Sequence, residues 1–550
     1  MRQLSGLDAS FLYGDDRNAD THGTLVLIYD PSTAPRKPVR FTHVLAHVRE
    51  RLSVSRVFRQ KLARVPLDID YPYWVDDPKF DLEYHVHHVA LPKPGDWRQF
   101  CILAARLHAP PLNLERPPWE MYVVEGLDHI DWLPKGSFAI LLKVHHCAID
   151  GHSAAELTMG LHDLDAAGRR PAPVRRVNYT PDERLGVLRM LSGVGRNWLV
   201  TPWKAVMPGL RAVPQLGATI AKFLLDARLD PRRHAITRFN HRLSPHRVFT
   251  GRSYPLAEVK RVRLAVPGAT INDTVVSITA GAIRHYLKSK AELTDAPLRV
   301  AMPINTRRAE EFGEAGNSIS AMFCEAHVDV AAPLERLAAV YESTRSAKEI
   351  SEGAIGAREM TDLTRYSPAA LTFVAVKTIN GLNWGAALGA PFANFCVSNV
   401  PGPGIPLYLC GSELEFWNIV APLPQAIGLF VGVSSYRDRL FIAPTADRAM
   451  VPDPGFLAQC LDRSVAEHVR AAERLLARRP ELLAAAAQKS ARRNHPGLKA
   501  MQTMVADAEA AKATRPAPAP RDGTRSTHAR VPAAGRRASV VRRRRRPTHP

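Results

Sequence analysis

No two of the six cysteines (Cys101, Cys147, Cys324, Cys396, Cys410, Cys460) form a CxxC pair, and they are scattered over 550 residues. That spacing removes a zinc framework and a disulfide scaffold as organising principles. No signal segment precedes the opening LDASFLYG, so a reducing cytosol is the expected compartment. Long apolar runs are missing too. A bilayer span needs roughly 18 unbroken apolar residues. The best stretch, AALTFVAVKTINGLNWGAALGAPF, is interrupted by Lys377, Asn380 and Asn383. The chain is therefore expected not to span a membrane. Acidic residues are scarce at the C-terminal end, where residues 511–550 hold twelve Lys and Arg against Asp522 alone. About half of the net charge of +21 sits there. This tail is rich in Pro, Ala and Arg and has few large apolar side chains, so it cannot offset its ordering entropy and is expected to be disordered. The run Arg542–Arg546 has the charge to meet nucleic acid or anionic lipid, but the plain reading is a solvated appendage. A tail is not a patterned basic domain, and no dedicated nucleic-acid partner is expected.

What remains is an ordinary globular composition, 46% hydrophobic and 23% charged, in a chain long enough for two to four domains. Strand-like runs TLVLIYD and SFAILLKV mark the first 180 residues. A second mixed region, about 245–475, carries LRVAMPINTR, NSISAMFCEAHVDV and GLFVGVSSYRDRLFIAP as strands, with DTVVSITAGAIRHYLKS as a helix. This is an α/β chain in two comparable halves.

Between the halves, Leu185 to Leu225 holds Arg189, Arg196, Lys204, Arg211 and Lys222, two tryptophans (Trp198, Trp203) and no acid. Pro202, Pro208 and Pro214 forbid one continuous helix, so short amphipathic pieces are expected. Basic and aromatic residues on apolar pieces suit a membrane interface, and they equally suit a crossover linker packed on both halves.

The stretch LLKVHHCAIDG carries the chemistry. An apolar strand delivers His145 and His146 to its end, and Asp150-Gly151 turns the chain. Ser153 to Glu156 then has capping-box spacing for a helix through Leu157, Leu161 and Leu164. A loop on a rigid strand-to-helix corner reaches a cleft, where one imidazole can take a proton from a hydroxyl near neutral pH. A metal site is the weaker reading, because adjacent histidines point apart and no third His or Cys ligand stands at a familiar spacing. By chance HHxxxDG should arise in only about a few chains per thousand. EYHVHHVAL is the decoy. His85 and His87 alternate on an expected strand without an acid beside them, and both read as structural or surface histidines.

HHCAIDG resembles the HHxxxDG signature of the CoA-dependent acyltransferases, which include chloramphenicol acetyltransferase and peptide-synthetase condensation domains. The flanks narrow the resemblance to the bacterial wax ester synthase/diacylglycerol acyltransferase family. LSGLDASFLY, FDLEYHVHHVALPKPG and PLNLERPPWEMYVVEGL are similar to its first half, and INDTVVSITAGAIRHYL, VAMPINTR, GNSISAMF and CVSNVPGP to its second. The family's usual Pro-Leu-Trp reads Pro117-Pro118-Trp119 here, and AIGLFVGVSSYRDRL lacks the acidic-glycine approach expected before that strand.

The resemblance implies two chloramphenicol-acetyltransferase-like lobes with a central tunnel. Residues 1–180 would form the lobe carrying HHxxxDG, 181–245 an amphipathic basic linker and 246–475 the second lobe. Residues 476–510 would be a helical extension and 511–550 the tail. It implies an acyl-CoA-dependent O-acyltransferase that esterifies diacylglycerol, and also long-chain alcohols. No cofactor and no metal would be needed, acyl-CoA being a co-substrate. His146 would be the general base, with His145 and Gly151 supporting the geometry. Asp150 would hold the loop through an ion pair, with Arg307 as its expected partner. Asn272 of the Asn272-Asp273 pair would donate to the oxyanion, or else cap the following helix. The expected location is cytoplasmic, with peripheral contact to a membrane or lipid-droplet surface. Two alternatives stand beside this one: a non-catalytic lipid-binding member, and a carrier-dependent condensation-type acyltransferase. The second would normally come with adenylation and carrier modules, which this chain does not have.

Overall fold

The computed structural model describes residues 2–16, 18–19, 21–66, 69–149, 151–168, 235–305, 319–353, 369–381 and 391–483. Asp150, Arg307, the basic linker at Leu185 to Leu225, residues 484–510 and the arginine tail lie outside these.

The first half supplies α1 (Gly6–Gly14), β1 (His22–Asp30), α2 (Phe41–Arg51), β2 (Val86–Ala90), α3 (Trp97–His108), β3 (Trp119–Glu125), β4 (Phe138–His145) and α4 (Gly151–Leu161). From the second half come β5 (Arg247–Phe249), β6 (Arg252–Pro255), α5 (Ile271–Ser289), β7 (Arg299–Asn305), β8 (Ile319–Glu325), α6 (Pro333–Gly353) and α7 (Ala369–Gly381). They are followed by β9 (Phe395–Pro401), β10 (Tyr408–Leu409), β11 (Ser412–Val420), β12 (Leu429–Tyr436), β13 (Arg439–Asp447) and α8 (Pro454–Arg478). The α/β reading of two lobes holds.

Two large mixed sheets organise the chain. The first runs in the order β10-β11-β1-β4-β3-β2, the second β8-β7-β9-β12-β13-β5, with β6 also pairing to β13. The first sheet is not made by the first half alone. β11 pairs antiparallel to β1 from Glu413 opposite Asp30 to Val420 opposite Thr24. A lobe boundary drawn along the sequence therefore crosses a strand exchange. Phe416 and Trp417 of β11 are buried in the same core as Leu27, Tyr29 and Ile140.

All eight positions of β4 are buried, as expected of a central strand covered on both faces. Lys143 is the exception in chemistry. Its side chain is fully buried, and Nζ donates to the carbonyls of Leu107 and Pro110. These lie at the C-terminal end of α3, where unpaired carbonyls and the helix dipole favour a cation. His22, on the neighbouring strand, donates from Nε2 to the His108 carbonyl at 2.6 Å.

The helix after the motif starts at Gly151, two residues before the expected Ser153 cap, and ends at Leu161, short of Leu164. Leu157 and Leu161 are buried, as the periodicity required. The far end of α4 is fixed by polar groups. Burial lowers the His162 pKa to about 3, so the ring is neutral. Its Nδ1–H donates to Thr158 O at 2.6 Å, which leaves Nε2 to accept from the Tyr29 hydroxyl at 2.8 Å. Asp163 exchanges backbone hydrogen bonds with Tyr408 of β10 and accepts from the buried Arg51 guanidinium of α2. His85 also departs from expectation. It ends a short helix, Leu82–His85, rather than standing on a strand, and it lies stacked on Trp119 with Nδ1 2.7 Å from the Trp119 carbonyl. His87 stacks on Tyr122, so both histidines are structural.

Removing one partner of a buried ion pair strands the other charge, at a cost of about 3–5 kcal/mol. Asp163→Ala is therefore expected to lower unfolding stability by about 3 kcal/mol, with the double variant Arg51→Met/Asp163→Leu recovering most of the loss. Urea unfolding of the three proteins checks it.

Candidate active site

The end of β4 is held by the segment that precedes β1. The ladder pairs His22 with His145, and one further bond carries it on, His146 N to Thr21 O at 2.8 Å. On the other side, His145 N donates to the Pro118 carbonyl at 3.0 Å. The backbone oxygen of Pro118 thus anchors the strand end.

Both ring nitrogens of His145 are engaged. The Cys147 N–H donates to Nδ1 at 3.1 Å, which puts the ring proton on Nε2, and Nε2 donates to Asp15 Oδ2 at 2.9 Å. Burial by itself opposes a charge on this ring, while Cys147 and the Asp15 carboxylate work the other way and raise its pKa. A second proton on Nδ1 must nevertheless displace the Cys147 bond, so the geometry fixes one tautomer. For Asp15, burial alone would raise the pKa. The His145 N–H, the Thr21 N–H at 2.9 Å and the Thr21 hydroxyl at 2.8 Å outweigh it and hold the carboxyl below its ordinary range.

His146 has a different setting. Its ring is half-buried and lies flat on Phe11 of α1, with centroids 4.3 Å apart and planes 17° from parallel. The Thr21 hydroxyl also lies 2.7 Å from the Phe11 carbonyl, so its one proton is shared between that oxygen and the Asp15 carboxylate. Beneath the site, His22 and His108 are both held well below the ordinary histidine pKa, by burial first and by Lys143 beside them, so both are neutral.

The 15–21 segment is clasped by the second half of the chain. Lys377 of α7 donates to the Asp15 carbonyl at 2.7 Å, and Gln425 to the Asp16 carboxylate at 2.9 Å. Asn18 donates to Leu243 O at 3.0 Å, and its own carbonyl accepts from Arg247.

Asn272 and Asp273 sit in the first turn of α5, and the structure separates their roles. The cap is Thr270, in a reciprocal box with Asp273. Asp273 is buried, and its Oδ1 accepts from Thr344 of α6 at 2.7 Å, so its oxygens serve packing. Asn272 is not the cap. It is exposed at the mouth of a pocket, where Oδ1 accepts from Asn399 Nδ2 at 2.5 Å. That pocket has an apolar floor that includes Val276, Met302 and Val397. Gly151 begins α4, while Asp150 and Arg307 lie outside the described residues. Sequence reasoning missed Phe11, Asp15, Thr21, His22, His108 and Asn399. Only Lys143, a cation inside an apolar strand, carried a visible signal.

The wax ester synthase/diacylglycerol acyltransferase catalytic domain matches residues 4–275, and the C-terminal domain of the same family matches 315–468. The chain belongs to this family. Its catalytic domain runs past the linker and includes the start of α5, so Asn272 falls within the same domain as the histidines. Among related proteins, a putative diacylglycerol O-acyltransferase of Mycobacterium tuberculosis is 31% identical, covering 82% of this chain and 93% of that one. A probable diacylglycerol O-acyltransferase of the same species is also 31% identical, covering 86% and 97%. The solved wax ester synthase/diacylglycerol acyltransferase of Marinobacter aquaeolei matches with a TM-score of 0.62 at 25% identity, covering 86% of this chain and all of that one. A condensation domain of the calcium-dependent antibiotic synthetase shares the fold, with a TM-score of 0.52 at 14% identity.

Asp15→Asn places an amide where three donors converge, so one of them loses its acceptor. Hydrogen bonds to a charged group contribute about 2 kcal/mol each. Because the folded carboxyl titrates below its unfolded value, the stabilisation is complete above about pH 5 and is lost as pH falls below about 4. The stability gap between wild type and Asp15→Asn should be constant near neutrality and close in acid, as read from urea midpoints across pH.

Proposed function

We propose that the protein transfers a fatty acyl group from acyl-CoA to the hydroxyl of diacylglycerol, and also of long-chain alcohols, with His146 as general base. The observation that carries the choice of base is the commitment of His145, which leaves it no ring nitrogen for a substrate proton. His145 is committed at both nitrogens, to Cys147 and Asp15, while His146 is half-buried with one ring face on Phe11. Family membership supports the donor and the class of acceptor.

His146 takes the acceptor O–H proton as the oxygen attacks the thioester carbonyl. The C–S bond then breaks, and the imidazolium returns that proton to the CoA thiolate. A thiolate leaves readily, so positioning and one base suffice without a covalent enzyme intermediate. The oxyanion needs a donor. Asn272 is proposed for it, with Asn399 holding its Oδ1 so that its NH₂ group turns elsewhere. Asp150 is proposed to anchor the loop through Arg307. The acceptors are lipids, so the enzyme is proposed to work at a membrane or lipid-droplet surface from the cytoplasm. Among the described residues no helix is long and apolar enough to cross a membrane.

The test uses purified protein with labelled palmitoyl-CoA, offered diacylglycerol or hexadecanol in turn. Loss of a general base costs about 10²–10⁴ in rate, so His146→Ala should lose at least about a hundredfold while keeping its melting temperature. His145→Ala should retain more activity. Wild-type turnover by a folded His146→Ala protein overturns the mechanism.

A further inference from the structure

We infer that helix α7 is a lipid-docking surface that lies in the plane of the interface beside the active site. This rests on the acyltransferase reading above and names the surface it uses. The helix is apolar on both faces. Its inner face packs on the α1 region, with Ala369 and Thr372 buried, the Thr372 hydroxyl 2.7 Å from that of Tyr71, and Phe373 edge-on to Tyr13. Its outer face carries Leu371, 60% exposed, and Val374, 57% exposed, one turn apart, with Phe373 at the rim at 45%. Single exposed apolar residues are ordinary, but a cluster is not. Three of the eleven large apolar side chains exposed among the described residues fall within these four positions. A helix apolar all round is stable where its second face is covered as well.

Charge says what covers it. Between Asp362 and Glu413 the sequence contains no acidic residue, and Arg365 and Lys377 are its only cations. Thr378 continues the outer face, while Lys377 at its flank turns back to the Asp15 carbonyl. A lipid surface asks for this composition: apolar side chains at the acyl boundary and no carboxylate to be desolvated or to repel anionic headgroups. Thirteen residues reach about 20 Å along a helix, short of a span, so the helix lies flat. The position fits the chemistry. α7 packs on α1, and Phe11 of α1 lies against His146, so the lipid phase stands about two helix diameters, ~20 Å, from the imidazole.

The experiment compares the full chain with its Leu371→Glu/Val374→Glu variant, both substitutions being at exposed positions that leave the inner face intact. Flotation with phosphatidylcholine/phosphatidylglycerol vesicles should show vesicle affinity falling at least about tenfold in the variant, at low and at high salt. Equal flotation of the two proteins overturns the inference. So does a wild-type dimer that the variant dissolves without loss of vesicle binding, which makes the face a contact between copies. Acyl transfer to hexanol without vesicles separates this from the functional reading. Wild type and variant should turn over alike there. An inactive wild type overturns the acyltransferase reading, and with it the acceptor-based reason for this surface. An active wild type with unchanged flotation overturns the surface alone.

Discussion

One hydrogen bond organises the site: Asp15 Oδ2 accepting the Nε2 proton of His145 at 2.9 Å. A neutral imidazole at a buried strand end has two tautomers and two ring orientations. The carboxylate on one side and the Cys147 N–H on the other leave one of each. The strand end then has no slack, and the next residue, His146, is presented with its ring against Phe11. Second-sphere carboxylates orient histidines in the same way in many sites, by fixing a ring that reacts or the ring beside it.

That bond is only as firm as the segment that carries Asp15, and the segment is held mostly from outside its own lobe. Lys377, Gln425, Arg247 and the Leu243 carbonyl all come from the second half of the chain. The site is thus assembled by both halves even where the reacting residues belong to one. Buried polar support beneath it follows the same logic. Lys143 and His22 satisfy the carbonyl end of α3 from two neighbouring strands, which locks that helix under the strand end.

The α/β class, the two halves and the motif corner were legible in the sequence, because continuous apolar runs and the HHxxxDG spacing are local signals. SFAILLKV reads as a buried strand and is one from Phe138 onward. The start of α4 was misplaced by three residues, because Ser153 and Glu156 have capping-box spacing whether or not the helix begins there. Asn272 looked like a cap because it precedes an apolar run, whereas Thr270 takes the cap and Asp273 closes the box. Apart from Lys143, the supporting residues could not be read. Asp15 and His145 are 130 positions apart, Asn272 and Asn399 are 127 apart, and neither pair follows from any local pattern. The strand exchange was hidden for the same reason, since β11 looks like any other strand of the second half.

The exchange bears on how the chain is made. β1 reads HGTLVLIYD, and its outer edge is covered by β11, whose last residue is Val420. During synthesis the first half therefore leaves the ribosome with an open, strongly apolar sheet edge, and roughly four hundred residues must be translated before its partner appears. At typical elongation speeds of about 5–20 residues per second, that edge waits for tens of seconds. Holding a nascent chain soluble over that interval is work for chaperones, and a fragment that stops short of β11 carries the open edge permanently.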